Sequence, residues 1–170
     1  MSVNVSPSNL VDEDFPDEVA ALLRRYRVPA RALVLEVTES ILMEDRERAV
    51  RVLTRLRDAG VGVSIDDYGT GYSSLAYLAA LPVTELKLDR VFVAAMTGSS
   101  RAASIVTSTL QLAHALDLTL VAEGAEDQAT VDALTSLGCD IVQGYHLSRP
   151  LPPEQLRAWL LERQAADQRA

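Results

Sequence analysis

The chain has 170 residues, 48% of them hydrophobic, so it is long enough for one globular domain with a sizeable core and too apolar for disorder. Its 24 acidic and 16 basic residues give a formal net charge of −8 with no Lys/Arg-rich run, which argues against a nucleic-acid polymer as partner and fits a small anionic ligand only if cations offset the acids. No apolar stretch approaches the roughly 20 residues of a membrane span, and the one cysteine, Cys139, cannot form an internal disulfide, so a cytoplasmic protein is expected.

Short apolar runs rich in β-branched residues alternate along the chain with longer stretches of helical period. This alternation predicts a parallel α/β sheet in which right-handed crossovers join successive strands. The six predicted strands are Val3–Val5, Leu33–Val37, Val61–Ile65, Glu85–Leu88, Thr119–Ala122 and Ile141–Gln143. The predicted helices are Val19–Tyr26, Asp45–Ala59, Ser73–Ala80, Arg101–Leu116, Asp127–Leu137 and Pro153–Arg163.

Helix punctuation agrees with these boundaries. Gly60 and Gly138 follow helical stretches as C-terminal caps do, and Pro153 stands where the last helix begins. No linker or low-complexity segment divides the chain, so residues 1–163 are expected to form one domain. Residues 164–170 are polar and Ala-rich and are expected to fray at the end of the last helix.

Polar side chains stand in or directly after all six predicted strands. They are Asn4, Glu36, the pair Asp66 and Asp67 directly after the third strand, Lys87, Glu123 and Gln143. The carboxyl ends of parallel strands open onto one face, and that face carries the active site of α/β barrels. Each residue alone has a plain structural explanation, such as Lys87 pairing with Asp89 in solvent. Their recurrence on six strands indicates a shared site.

The gathered carboxylates predict a metal site. Several carboxylates close together at the carboxyl ends of the strands repel one another, and their desolvation is costly unless a cation compensates their charge. Oxygen ligands without a Cys or His cluster favour Mg²⁺ or Mn²⁺ over zinc.

The acids Glu36 and Glu39 cannot share one role. Residues three apart in an extended strand point to opposite faces, so Glu36 is assigned to metal and Glu39 to a loop. There Glu39 is expected to accept hydrogen bonds from the segment around Thr70, coupling the position of that loop to the metal geometry.

With these residues in place, the chain resembles the EAL family of cyclic di-GMP phosphodiesterases. The most specific match is the continuous string Asp66-Asp67-Tyr68-Gly69-Thr70-Gly71-Tyr72-Ser73-Ser74-Leu75. The other matching elements follow the family order and are Asn4-Val5-Ser6, Leu35-Glu36-Val37-Thr38-Glu39-Ser40, Lys87-Leu88-Asp89-Arg90, Ala122-Glu123-Gly124, Gln143-Gly144-Tyr145 and Ser148-Arg149-Pro150.

The resemblance implies a modified TIM barrel that binds cyclic di-GMP across its C-terminal face with two Mg²⁺ or Mn²⁺ ions. By the same resemblance, Asn4, Glu36 and Asp66 bind one ion, and Asp66 and Asp67 bind or bridge to the second. The resemblance makes Glu123 the metal-associated acid and general base.

The remaining matched residues also have roles in the family. Lys87 is implied to orient the attacking water and stabilise charge, and Gln143 and Asp89 to line the site. The implied reaction opens the ring to linear pGpG.

The departure lies at the N-terminus, because the chain lacks the Glu-Ala-Leu strand that gives the family its name and a further metal ligand. A closed barrel takes about eight βα units, whereas the pattern predicts six, so a partial TIM-like (β/α) barrel without its first two units is expected. The gap would leave sheet edges and apolar core exposed. We therefore expect a truncated domain that self-associates or pairs with a complementing N-terminal segment, with weak or absent hydrolysis.

Two other functions stay open. The chain is alternatively a cyclic di-GMP-binding or regulatory remnant that does not turn the ligand over. A third interpretation makes Lys87 the Schiff-base lysine of an aldolase, although neighbouring carboxylates raise the pKa that such a lysine needs lowered.

Overall fold

The protein forms a single parallel sheet of six strands in sequence order, as seen in a computed structural model that describes residues 1–38, 45–71 and 75–167. The sheet curls into a half-barrel with helices packed on it. Its strands are β1 (Ser2–Asn4), β2 (Val34–Thr38), β3 (Gly62–Tyr68), β4 (Glu85–Leu88), β5 (Thr119–Glu123) and β6 (Ile141–Gln143). The predicted partial α/β barrel of six strands is confirmed.

Helices lie in the crossovers between the strands, and the last helix follows β6. They are α1 (Pro7–Leu10), α2 (Phe15–Tyr26), α3 (Arg46–Asp58), α4 (Leu75–Leu78), α5 (Arg90–Ala95), α6 (Ser100–Ala115), α7 (Gln128–Leu137) and α8 (Pro153–Asp167), with a 3-10 turn at Ala30–Ala32. The sequence did not predict α1 and α5, which span only four and six residues and are too short to show a helical period. No helix in these ranges is long and apolar enough to cross a membrane.

Side-chain caps start three of the longer helices. Asp45, Ser99 and Asp127 accept hydrogen bonds from backbone N–H groups in the first turns of α3, α6 and α7. At the other end of α7, Gly138 adopts the left-handed conformation with φ 80°, as its predicted role as a cap requires.

The core lies between the outer face of the sheet and the helices. Alternate strand residues such as Leu35, Ile65, Leu86 and Leu120 are buried there against α3 and α6. Because successive residues of a strand point to opposite faces, the residues between them lie on the inner face of the half-barrel. The strand residues of the predicted site that occupy that inner face are Asn4, Glu36, Asp66, Lys87, Glu123 and Gln143.

The two outer strands each have one partner in the described sheet, β2 for β1 and β5 for β6. Apolar side chains stand exposed on both, with Val3 at 42% and Ile141 at 44% of full exposure. Next to β1, a cavity of about 560 Å³ is lined largely by apolar side chains of β1 and α2. The described sheet therefore ends in two edges with uncovered apolar surface, as the six-strand pattern predicts.

A carboxylate links α6 to β5 and β6 at the opposite end of the sheet from the predicted site. Asp140 Oδ2 accepts the Leu120 N–H at 2.8 Å and lies 3.0 Å from His114 Nε2. Burial raises the pKa of Asp140, but the hydrogen bonds from Leu120 and His114 outweigh it and hold this pKa below its ordinary value. The folded state therefore favours the ionised carboxylate.

We expect the contribution of Asp140 to stability to depend on pH. Because the folded pKa is lower than the unfolded one, the contribution is complete above the unfolded pKa and is lost as the pH falls through the folded pKa. In urea titrations from about pH 7 to pH 3, the D140N variant should be less stable than the parent at neutral pH, and the difference should shrink below about pH 4. A difference that stays constant over this range would contradict the assignment.

Candidate metal and active site

One ammonium group joins three strands of the inner face. Lys87 Nζ on β4 lies 3.0 Å from Glu36 Oε1 on β2, 2.8 Å from Asp66 Oδ1 on β3 and 2.8 Å from Glu123 Oε1 at the end of β5. Lys87 is only 5% exposed and Glu36 8%. The structure thus brings four of the predicted site residues into one partly buried ion cluster, and Lys87 does not pair with Asp89 in solvent.

A local irregularity of β3 places a fifth residue, Asp67, in this cluster. The predicted boundary was wrong here, because β3 continues through Asp66 and Asp67 to Tyr68 instead of ending before them. In a regular strand the two aspartates would point to opposite faces. The pairing of β3 with β4 shifts register between Ile65 and Tyr68, and Asp67 adopts a φ of 54°, as expected of a bulge.

The bulge brings the two aspartates to one place. Asp66, Asp67 and Glu123 each offer an oxygen atom, and these atoms lie within 4.8 Å of one another. Such a group of carboxylate oxygens matches the donors that Mg²⁺ and Mn²⁺ prefer. The donor set therefore fits a divalent cation, although it does not choose between the two metals.

Burial and neighbouring charges shift the protonation of the cluster. Burial raises the pKa of Glu123, Asp66 and Glu36 raise it further, and the contact with Lys87 opposes them. Burial also raises the pKa of Asp67, with Asp66 and Asp89 adding to the effect. Both acids hold a proton more readily than ordinary carboxyl groups, as expected where negative charges crowd together.

The environment of Lys87 has the opposite effect on its protonation. Burial alone would lower the pKa of Lys87, but hydrogen bonds to Asp66, Glu123 and Glu36 outweigh it and raise the pKa above its ordinary value. A Schiff-base lysine needs a lowered pKa to supply a free amine. The aldolase interpretation therefore finds no support in this site.

Ser64 adds a polar atom that the sequence analysis missed. It precedes Asp66 by two residues on β3, so both side chains share the inner face. Its hydroxyl is buried and is the one such side-chain atom without a hydrogen-bond partner among the described residues. The period of two along β3 was the signal that places Ser64 beside the acids.

The loop after β3 is tied back to the bulge. The Thr70 hydroxyl donates a hydrogen bond of 2.9 Å to the Asp67 carbonyl oxygen. Asp89 caps α5 by accepting the Val91 N–H at 2.7 Å, and its nearby carboxyl group contributes to the raised pKa of Asp67. Glu39, the other predicted loop anchor, lies outside the described residues.

Asn4 and Gln143 stand on the two outer strands beside the cluster. Asn4 pairs in register with Glu36 across β1 and β2, and Gln143 pairs with Glu123 across β5 and β6. Both side chains are exposed, and neither takes part in the ion pairs of Lys87. These two residues lie at the sides of the site, and the ion cluster of Lys87 with Glu36, Asp66 and Glu123 lies at its centre.

Comparison with known proteins gives a consistent family. The EAL domain family model matches residues 1–150. The cyclic di-GMP phosphodiesterase PA2567 of Pseudomonas aeruginosa is 41% identical over 160 residues, covering 94% of this chain and 27% of that protein. The bifunctional diguanylate cyclase/cyclic di-GMP phosphodiesterase MucR of the same organism is 44% identical over 158 residues, covering 93% of this chain and 23% of that protein.

A solved structure supports the same relationship. The PaMucR phosphodiesterase in complex with c-di-GMP superposes with a TM-score of 0.85 at 44% identity, covering 91% of this chain and 63% of that one. The chain thus spans about a quarter of the two relatives and less than two thirds of the superposed structure. The chain has the matched motifs, a six-stranded half-barrel and an acidic cluster formed by Glu36, Asp66, Asp67 and Glu123. It belongs to the EAL domain family.

Proposed function

We propose that this chain supplies the greater part of a metal-dependent cyclic di-GMP phosphodiesterase site and hydrolyses the ligand fully only when the sheet is completed by further strands. One observation carries the proposal: Asp66, Asp67 and Glu123 each place an oxygen atom within 4.8 Å of the other two, which suits a divalent cation. The names of the relatives supply the substrate class. The products would be linear pGpG, with one phosphodiester bond opened.

The proposed metal ligands would hold two ions. Asn4, Glu36 and Asp66 would hold one Mg²⁺ or Mn²⁺ ion, and Asp66 with Asp67 the second. Divalent ions bound here would activate water as a nucleophile and neutralise charge on the phosphoryl oxygens.

Glu123 has the properties of the general base. Its pKa is raised by burial, which brings it closer to the working pH and makes it a better proton acceptor. In the proposed reaction, Glu123 takes a proton from water as the water oxygen bonds to phosphorus. The bond from phosphorus to the leaving sugar oxygen breaks, that oxygen takes a proton from solvent, and Glu123 returns its own proton to solvent.

The remaining site residues would stabilise the charge on the phosphoryl group, line the ligand and position the loop that follows Asp67. The ammonium of Lys87 lies 2.8 Å from Glu123, so its positive charge is close to the place where charge develops on the phosphoryl group. Gln143 and Asp89 would line the ligand. Glu39 and Thr70 would set the loop that follows Asp67.

The proposal includes impaired activity of the chain alone. The edges of β1 and β6 and the cavity beside β1 leave apolar surface uncovered in the described sheet. Strands from another segment or another copy would cover this surface, and a complementing N-terminal segment would also supply the Glu-Ala-Leu carboxylate.

Hydrolysis assays test both parts of the proposal. We expect weak or no turnover of cyclic di-GMP by the purified chain with Mn²⁺, and clear turnover after fusion to the N-terminal βα units of the MucR phosphodiesterase. Robust turnover by the chain alone would refute the impairment, and a well-folded fusion without turnover would refute the phosphodiesterase assignment. A compact, stable monomer in size-exclusion chromatography with light scattering would contradict the need for covering strands.

A ligand-binding regulatory protein is the second candidate, favoured by the absence of a Glu-Ala-Leu strand from the sequence. Calorimetry with cyclic di-GMP and Ca²⁺ separates the two. Binding of the ligand without Mn²⁺-dependent turnover in the completed sheet would select this alternative.

A further inference from the structure

Lys87 is the only lysine in the sequence, and it lies at the centre of the acidic cluster. The other basic side chains that could supply permanent charge are arginines. The side chain of Lys87 is 94% buried and contacts three carboxylates from three different strands. This placement calls for an explanation beyond the contact with a phosphoryl group.

The geometry of the ammonium matches the number of acids around it. An ammonium group has three N–H donors and no acceptor, and here three carboxylate oxygens lie within 3.0 Å of it. Glu36, Asp66 and Glu123 thereby gather around one positive charge instead of repelling one another. Without a cation, acids this close and this poorly solvated would protonate or separate.

Two of these three acids, Glu36 and Asp66, are proposed metal ligands. Asp66 and Glu123 belong both to the contacts of Lys87 and to the group with Asp67 that fits a divalent ion. A divalent ion held by these carboxylates would draw their negative charge and repel the nearby ammonium. Lys87 and the divalent ion are therefore competitors for one set of ligands.

We propose that Lys87 is the internal counter-cation of this site, holding the carboxylates together in the absence of divalent ions and giving up contacts with them when an ion binds. Lys87 acts here as a positioning residue for the metal ligands. The inference rests on the proposed function only in taking the acidic cluster as a divalent-metal site, and it needs neither ligand nor hydrolysis.

Thermal unfolding of the K87M variant tests the counter-cation role, because Met keeps most of the length of the side chain and removes its charge. In EDTA the variant should melt about 6 °C or more below the parent, since three partly buried carboxylates lose their partner. With saturating Mn²⁺ the gap should narrow by at least half. The Mn²⁺ dissociation constant, measured by calorimetry, should be at least about tenfold lower in the variant because a competing cation is gone.

The R101M variant is the matched control, because it removes one positive charge from an exposed side chain on α6, away from the inner face. Its Mn²⁺ affinity should stay within about twofold of that of the parent, since exposed charges interact weakly over such distances. An equal loss of melting temperature by K87M with and without Mn²⁺, at unchanged affinity, would overturn the proposal and leave Lys87 a structural residue.

The metal site and the role of Lys87 can fail separately. If Mn²⁺ stabilises the parent and the variant by the same amount, the metal site stands and the competition is refuted. If Mn²⁺ stabilises neither and binds neither, the metal dependence under the proposed function is refuted as well. Lack of cyclic di-GMP turnover affects neither result.

The lone lysine gives a second measurement in the unaltered protein, which applies even if K87M does not fold. Lys87 and the exposed amino terminus of Met1 are the two amines that an amine-acylating reagent can modify, and Met1 serves as the internal reference. Acylation of Lys87 relative to Met1, followed by mass spectrometry, should be slow in EDTA and at least about fivefold faster with Mn²⁺, as ion pairs that shield the amine are released. An unchanged ratio would overturn the release of Lys87.

Discussion

Replacing Asp66 with asparagine should weaken Mn²⁺ binding by roughly 100-fold, which corresponds to about 2.7 kcal/mol. Asp66 supplies one of the three clustered oxygens and also contacts Lys87, so its charge is central to the site. The amide has the same shape but is a weaker ligand for hard divalent ions than a carboxylate. Asp66 is also the residue proposed to contact both ions, so no other single substitution should reduce metal binding more.

Calorimetry and Mn²⁺-dependent melting curves measure this effect. The D58N variant is the control, because Asp58 is an exposed residue at the end of α3. D58N changes the net charge by the same amount as D66N. We expect D58N to bind Mn²⁺ like the parent. Equal affinities for D66N and D58N would show that the acidic cluster does not bind the metal.

In EDTA, the same D66N variant should lose less stability than K87M. Lys87 keeps Glu36 and Glu123 as partners when Asp66 is neutralised, whereas removal of Lys87 leaves three acids without a cation. The order of the two melting temperatures thus connects the role of Asp66 to that of Lys87. The reverse order would show that the ion pair with Asp66 carries most of the stabilisation.

The regular parts of the fold follow directly from the sequence pattern. Runs such as Leu33–Val37 and Thr119–Ala122 are apolar and β-branched, and the structure places strands at β2 and β5 within one residue of them. Because parallel strands in chain order open onto one face, the convergence of Glu36, Lys87 and Glu123 was also predictable.

The details of the site were not accessible in the same way. Nothing in the sequence shows that Asp67 adopts a positive φ and turns its carboxyl group towards Asp66, because a bulge depends on how β3 pairs with β4. The three contacts of Lys87 likewise depend on the register of four strands. Local patterns determine which elements form, whereas pairing between elements determines which atoms meet.

Gly144 illustrates a constraint that arises only from such packing, and replacing it with alanine should have the largest effect on stability. A Cβ atom at Gly144 would overlap the backbone N, C and O atoms of Ala125, which cannot move as a flexible side chain can. The same backbone is held by two hydrogen bonds, from Ala125 N–H to Gln143 O and from His146 N–H to Ala125 O. We expect G144A to lower the free energy of unfolding by about 3 kcal/mol, at the upper end of the usual cost of overpacking.

The G98A variant provides the comparison for urea and thermal unfolding of G144A. Nothing lies within 4 Å of a Cβ atom at Gly98, and its φ is not in the left-handed region, so G98A should change stability by less than about 0.5 kcal/mol. G144A should melt about 6–12 °C below the parent. Because Ala125 follows Glu123 by two residues, the displaced backbone should also shift the proposed general base. G144A should therefore weaken Mn²⁺ binding in the fraction that remains folded. A stable G144A variant with unaltered Mn²⁺ affinity would show that the contact between Gly144 and Ala125 does not position Glu123.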